Sequence, residues 1–148
     1  MRTTDWGQIV FFHAADNWGD PMLMDYDFVK TVDQYRSFTK IPMIVSCGTQ
    51  GEHAQLSLHY SGLAGDFVFP TKNDFTLFDL YLTAFRFPFT EVGIYPQWRY
   101  NGREVGGLHL GRSKGPIDHK KTWIGLDTET GRQYTPVTQQ SLAAHGII

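Results

Sequence analysis

The sequence predicts an α+β domain in which helices pack against a central antiparallel sheet. Three observations carry that expectation: two stretches repeat apolar residues at helical spacing, several short apolar runs are separated by turn residues, and the aromatic content can fill a core. The first helix covers residues 25–39, where Asp25 suits an N-cap and Phe28, Val32 and Tyr35 recur at i, i+4 and i+7. Residues 41–46 are apolar and partly β-branched until Gly48 ends the run, which predicts a strand with Cys47 at its exit. Residues 48–61 are polar, hold no period and read as a loop that delivers His59 next to a strand at 64–69. A second helix is expected after a cap at Asn73 or Asp74, with Phe75, Phe78, Leu82 and Phe85 along one face and Pro88 at its end. Residues 89–95, 105–110, 122–126 and 132–137 follow as strands of an antiparallel set. The tail, 138–148, has weak helical character and no assigned function.

Nothing in the pattern divides the chain, so 1–148 is expected to be a single domain. At 148 residues it can bury a real core without disulfides, and 41% hydrophobic against 19% charged residues excludes disorder as the default. Thirteen Lys and Arg against 15 Asp and Glu leave a formal charge of -2, with the basic residues scattered, which excludes the electrostatic footprint of a nucleic-acid partner. No apolar run approaches transmembrane length, so no membrane insertion is expected. The first ten residues lack the apolar centre of a secretion signal, and the expected location is cytoplasmic as synthesised. Cys47 is the lone cysteine. It rules out an intrachain disulfide and a Cys-based zinc site, leaving His and carboxylate as the available metal ligands.

A candidate ligand set lies in two places. His59 and Asp66 stand seven positions apart with Gly62 and Gly65 between them, so a loop can fold back and point both side chains into one site. His109 lies in the strand-like run 106–110, where its neighbours alternate to the other face. Two imidazoles and a carboxylate are the donor set of a zinc ion with an open position for water, and such an ion polarises carbonyls and acidifies the water it holds. By spacing alone the pattern is common. A histidine that merely caps a loop explains His59 as well.

The run Ser57-x-His59-x-x-Gly62-x-Ala64-x-Asp66 resembles the zinc motif of the D-Ala-D-Ala carboxypeptidase and L-Ala-D-Glu endopeptidase family, shared with the Hedgehog signalling domain. Trp18-Gly19-Asp20-Pro21, Asp33-x-x-Arg36 and the strand 42–48 are similar to the segments that precede it in that family. The runs 92–96, 108–110 and 121–123 resemble the closing strands of a bacterial and phage branch. The resemblance implies a Hedgehog/DD-peptidase-like fold with Zn2+ held by His59, Asp66 and His109, and a small peptide or peptidoglycan substrate. It also implies hydrolysis of peptide bonds in stem peptides or cross-links; with no secretion signal expected, a phage-type route of release to the cell wall suits such a product.

The chain departs from the family pattern where activity is concerned. Thr49 and Gln50 stand where the family often has a substrate-binding Arg, Gly106 where many members have a general base, and Gly111 where the bacterial branch often has Asp. Hedgehog-like domains place a Glu six positions before the third ligand, and Glu104 stands five before His109. Glu104 is therefore the candidate catalytic base, with a solvated turn carboxylate as the competing reading. Two functions remain open: a zinc peptidase using Glu104, or a non-catalytic zinc-containing domain that binds a peptide or protein, a phage or prophage structural component included. Of the remaining candidates, His53 reads as an exposed loop residue and Cys47 as a buried small hydrophobe. Tyr95 and Trp98 read as either a substrate wall or core.

Overall fold

The computed structural model describes residues 2–53, 57–71, 75–116 and 119–148. Helix α1 (Tyr26–Thr39) begins where the Asp25 carboxylate accepts the Phe28 N–H at 3.1 Å and ends at Lys40, whose φ of 58° turns the chain out of the helix. Its buried stripe of Phe28, Val29, Val32 and Tyr35 follows the expected period. The order continues with β1 (Ile44–Cys47), β2 (Ala64–Val68), α2 (Leu77–Ala84), β3 (Glu91–Tyr95) and a small hairpin of β4 (Arg99–Tyr100) and β5 (Arg103–Glu104). Strands β6 (Gly107–Gly111), β7 (Lys121–Thr128) and β8 (Gly131–Thr135) and helix α3 (Gln139–Ala144) complete it.

Six strands form one sheet in the order β1-β2-β6-β3-β7-β8, and β4 with β5 forms a separate two-stranded ribbon. The sheet is mixed, which corrects the antiparallel expectation: β3 and β7 run parallel, and every other neighbouring pair is antiparallel. The reason lies in the connection after β6. That strand ends at Gly111 beside Glu91, the first residue of β3, and β7 begins with Lys121 paired to the same Glu91 from the other side. The chain thus passes around the start of β3 and re-enters the sheet beyond it, running in the direction of β3. A run of strand-like segments does not by itself distinguish this path from a simple meander.

Helix α2 requires a second correction. Of the expected stripe, Phe78 packs against the core but Phe75, Leu82 and Phe85 are exposed, whereas Leu80, Tyr81 and Ala84 are buried and Leu77 packs against the core. Both sets have helical spacing, so the period alone could not select the inward stripe. The Leu77 stripe is the one packed into the core, and the Tyr35 hydroxyl on α1 donates to the Leu80 carbonyl at 2.7 Å. Asn73 and Asp74 lie outside the described residues; Thr76 caps α2 with a reciprocal Asp79 bond. In the tail, Thr138 caps α3, and Leu142 and Ile147 enter the core. Among the described residues no helix is long and apolar enough to cross a membrane.

Alternation along the strands separates two faces. Val45, Phe67, Leu108, Leu110, Val92, Ile94 and Ile124 join the α1 and α2 side chains in one continuous apolar cluster. The intervening positions carry different chemistry. Cys47, Asp66, His109, Gly93 and Trp123 pair in register as a single row across five strands, on the face turned away from that cluster.

Candidate metal centre

Each residue of the 57–66 run has a local task that ends with two side chains in one place. Ser57 accepts the His59 N–H on its hydroxyl at 3.2 Å and so starts a short 3-10 turn, Leu58–Ser61, that holds His59 inward. Gly62 closes the turn at φ 70°, its N–H donating to the His59 carbonyl at 3.1 Å, and any Cβ there would collide with the Leu23 carbonyl. The chain then enters β2, where Asp66 sits opposite His109 of β6. The spacing read from the sequence therefore reflects a cap, a left-handed turn and a strand register.

The three predicted ligands converge. His109 Nδ1 lies 2.9 Å from Asp66 Oδ1 and 3.1 Å from His59 Nε2, and His59 Nε2 lies 3.2 Å from Asp66 Oδ1. Zinc bonds of about 2.0–2.1 Å at tetrahedral angles set donor atoms about 3.3 Å apart, and wider coordination sets them slightly closer, so this triangle fits one small divalent cation. The free nitrogens are also committed. His59 Nδ1–H donates to the Gly48 carbonyl at 2.7 Å, which turns Nε2 to the triangle. His109 Nε2 lies 2.6 Å from Glu91 Oε1.

Electrostatics prepare the carboxylate and the imidazole of this triangle in opposite ways. Burial works against the Asp66 carboxylate, yet the neighbouring His109 and His59 outweigh it and hold the carboxyl well below its ordinary range. Burial likewise disfavours charge on His109, but hydrogen bonds to Asp66 and Glu91 prevail and raise its pKa to about 9.

The triangle lines an open cleft of about 800 Å³ with Glu52, His53, Glu91, Tyr95, Trp98, Arg99, Trp123, Arg132 and Tyr134 among its walls. Tyr95 and Trp98 stack at 4.0 Å, and the Trp123 indole donates to the Tyr95 hydroxyl at 2.8 Å, so these aromatics form a braced wall. Thr49 and Gln50 are spent on the loop itself: Thr49 Oγ1 accepts the Asp20 N–H, and Gln50 Oε1 accepts the Gly48 N–H. The guanidinium groups of this cleft come instead from β4 and β8, as Arg99 and Arg132.

Glu104 is not brought to the triangle. It lies on the exposed β4–β5 hairpin, pairs with Arg99 at 3.5 Å and lines a separate groove with Phe69, Leu77 and Val105. His53, expected to be exposed, is half-buried and stacks on His59 with ring centres 3.9 Å apart. Cys47, His53 and His59 also lie close enough to one another for a cation. There the Cys47 thiol donates to the Gln50 carbonyl at 3.1 Å, and burial with the nearby Asp66 charge pushes its pKa up to about 11, so the sulfur is poorly prepared as a ligand. His13, His119 and His145 are exposed and do not line the cleft.

Sequence reasoning missed Glu91. The signal was present in the alternation of β3: Val92 and Ile94 face the core, so Glu91, Gly93 and Tyr95 share the opposite face with His109. Comparison of the chain with protein-family models, with curated proteins and with solved structures returns no match.

Proposed function

We propose that the chain has the Hedgehog/DD-peptidase fold and is a zinc-dependent peptidase-like protein acting on short peptides such as peptidoglycan stems or cross-links. The observation that carries this reading is the donor triangle of His59 Nε2, Asp66 Oδ1 and His109 Nδ1 in the wall of an open cleft. A bound zinc ion would supply Lewis acidity towards a carbonyl oxygen and towards water. His59, Asp66 and His109 hold the ion, and the Tyr95, Trp98 and Trp123 wall seats the peptide. Arg99 and Arg132 face a carboxylate-bearing ligand, although each already pairs with an acid, Glu104 and Asp127 respectively.

The cleft has three carboxylates among the described residues: Asp66, Glu91 and Glu52. Asp66 is a ligand and Glu91 is held by His109, which leaves the exposed Glu52 to carry the proton in place of Glu104. Purified protein should take up close to one zinc per chain, and His59→Ala or Asp66→Ala should abolish that uptake. With stem peptides as substrate, Glu52→Gln should keep the metal and lower turnover about a hundredfold, while Glu104→Gln should change neither. Absence of zinc uptake ends the metal reading. Zinc uptake without hydrolysis favours the second reading, a metal-containing peptide-binding domain, which the placement of Glu104 in a separate groove and the missing acid at Gly106 support.

A further inference from the structure

Glu91 stands outside the ligand triangle, yet its position is specified from both sides. Its Oε1 lies 2.6 Å from His109 Nε2, and its side chain is largely shielded, 15% exposed, in contact with an imidazole that is itself 8% exposed. The space it occupies exists because its partner across the ladder is glycine. Glu91 pairs with Gly111, and a Cβ at Gly111 would lie 2.6 Å from Glu91 Cγ and 2.7 Å from Oε1. Gly93, directly opposite His109, leaves room in the same way for the Trp123 indole, which flanks the His109 ring at 5.1 Å. The ring is thus gripped at Nε2 by Glu91, at Nδ1 by Asp66 and along one side by Trp123.

We infer that Glu91 is a positioning residue for the metal site, supplying from the neighbouring strand the carboxylate that keeps a proton on His109 Nε2 and turns Nδ1 towards Asp66 and His59. The proposal rests on the metal reading above and extends it, because it assigns a role to a residue outside the ligand set and to the glycine across the ladder from it, Gly111, which leaves room for the Glu91 side chain in this position. A carboxylate on the outer nitrogen fixes ring orientation and makes the ligating nitrogen a better donor, and loss of such a partner costs metal affinity without removing a ligand. A merely structural Glu91 would lower the stability of the metal-free fold. It would leave the ligand geometry of the folded protein alone.

The test uses the full chain with zinc and a competing chromophoric chelator. With zinc affinities compared on their high-pH plateaus, where protons no longer compete for the ligands, Glu91→Ala should weaken zinc binding by about 10- to 100-fold, and Glu91→Gln, which keeps an acceptor but no charge, should fall between it and wild type. Gly111→Ala should weaken binding in the same direction by displacing the Glu91 side chain. In nitrogen-resolved proton spectra of the metal-free protein, the His109 Nε2 proton should be shielded from exchange in wild type, retained in Glu91→Gln and lost in Glu91→Ala. Zinc affinities within twofold of wild type for Glu91→Ala and Glu91→Gln, with the His109 nitrogen shifts unchanged, would overturn the inference. Failure of the wild-type chain to bind zinc counts against the metal reading, and the metal-free spectrum still decides whether Glu91 holds the ring.

Discussion

His109 and Asp66 meet a metal with opposite preparation. The raised pKa of His109 means that below about 9 the metal-free imidazole carries a proton that a cation must displace. Asp66, held well below the usual carboxylate range, stays anionic across the same interval and adds no pH dependence of its own. Apparent zinc affinity, followed by chelator competition, should therefore climb by roughly tenfold per pH unit from pH 6.5 and level off only near 9. A plateau already reached at pH 7 would show that His109 is not paired as described. At this scale much was legible: His59, Asp66 and His109 came from residue types and a motif, and the structure brings their donor atoms together. Glu91 and His53 were not, because their roles depend on which residue lies across a ladder or above a ring, and sequence distance does not encode that. Glu104 lies elsewhere for the converse reason. Closeness of number to His109 did not place it on the same strand, and the ribbon carries it to another groove.

Helix α2 shows how an element can be recognised while its orientation is not. Six of its eight residues are apolar, so two helical stripes compete, and only packing against α1 and β3 decides between them. Leu80→Ala should then cost about 2–5 kcal/mol in urea unfolding, since the side chain is 2% exposed and its loss leaves a cavity. Leu82→Ala, at a position 48% exposed, should change stability by less than about 0.5 kcal/mol. Equal effects would mean that the helix is rotated from the orientation described. The strands fared better: all six of the sheet were anticipated near their observed bounds because short runs bounded by turn residues are a local signal. The partner order is a non-local property. Whether the chain folds straight back after Gly111 or passes around β3 depends on a connection with no periodic signature, so the parallel pair went unread. The β4–β5 ribbon is two residues per strand, too short for alternation to register.

For the whole molecule, the row from Cys47 to Trp123 ties five strands into a single transverse line, and the metal triangle occupies its middle. Its ligands are far apart along the chain: 43 residues separate Asp66 from His109, and 50 separate His59 from His109. Closing loops of that length before strand pairing rewards it is entropically uphill. The donor triangle consequently does not exist in the unfolded chain, and it forms only once β2 and β6 have found their register. This gives the strand order a consequence in time. Zinc should act as a late latch instead of a nucleus: in stopped-flow measurements it should slow unfolding while leaving the refolding rate nearly unchanged. Acceleration of refolding by zinc would place the β2–β6 pairing ahead of the rate-limiting barrier. A cell producing this chain would, on the expected outcome, complete the fold first and fill the donor triangle afterwards, as the supply of metal allows.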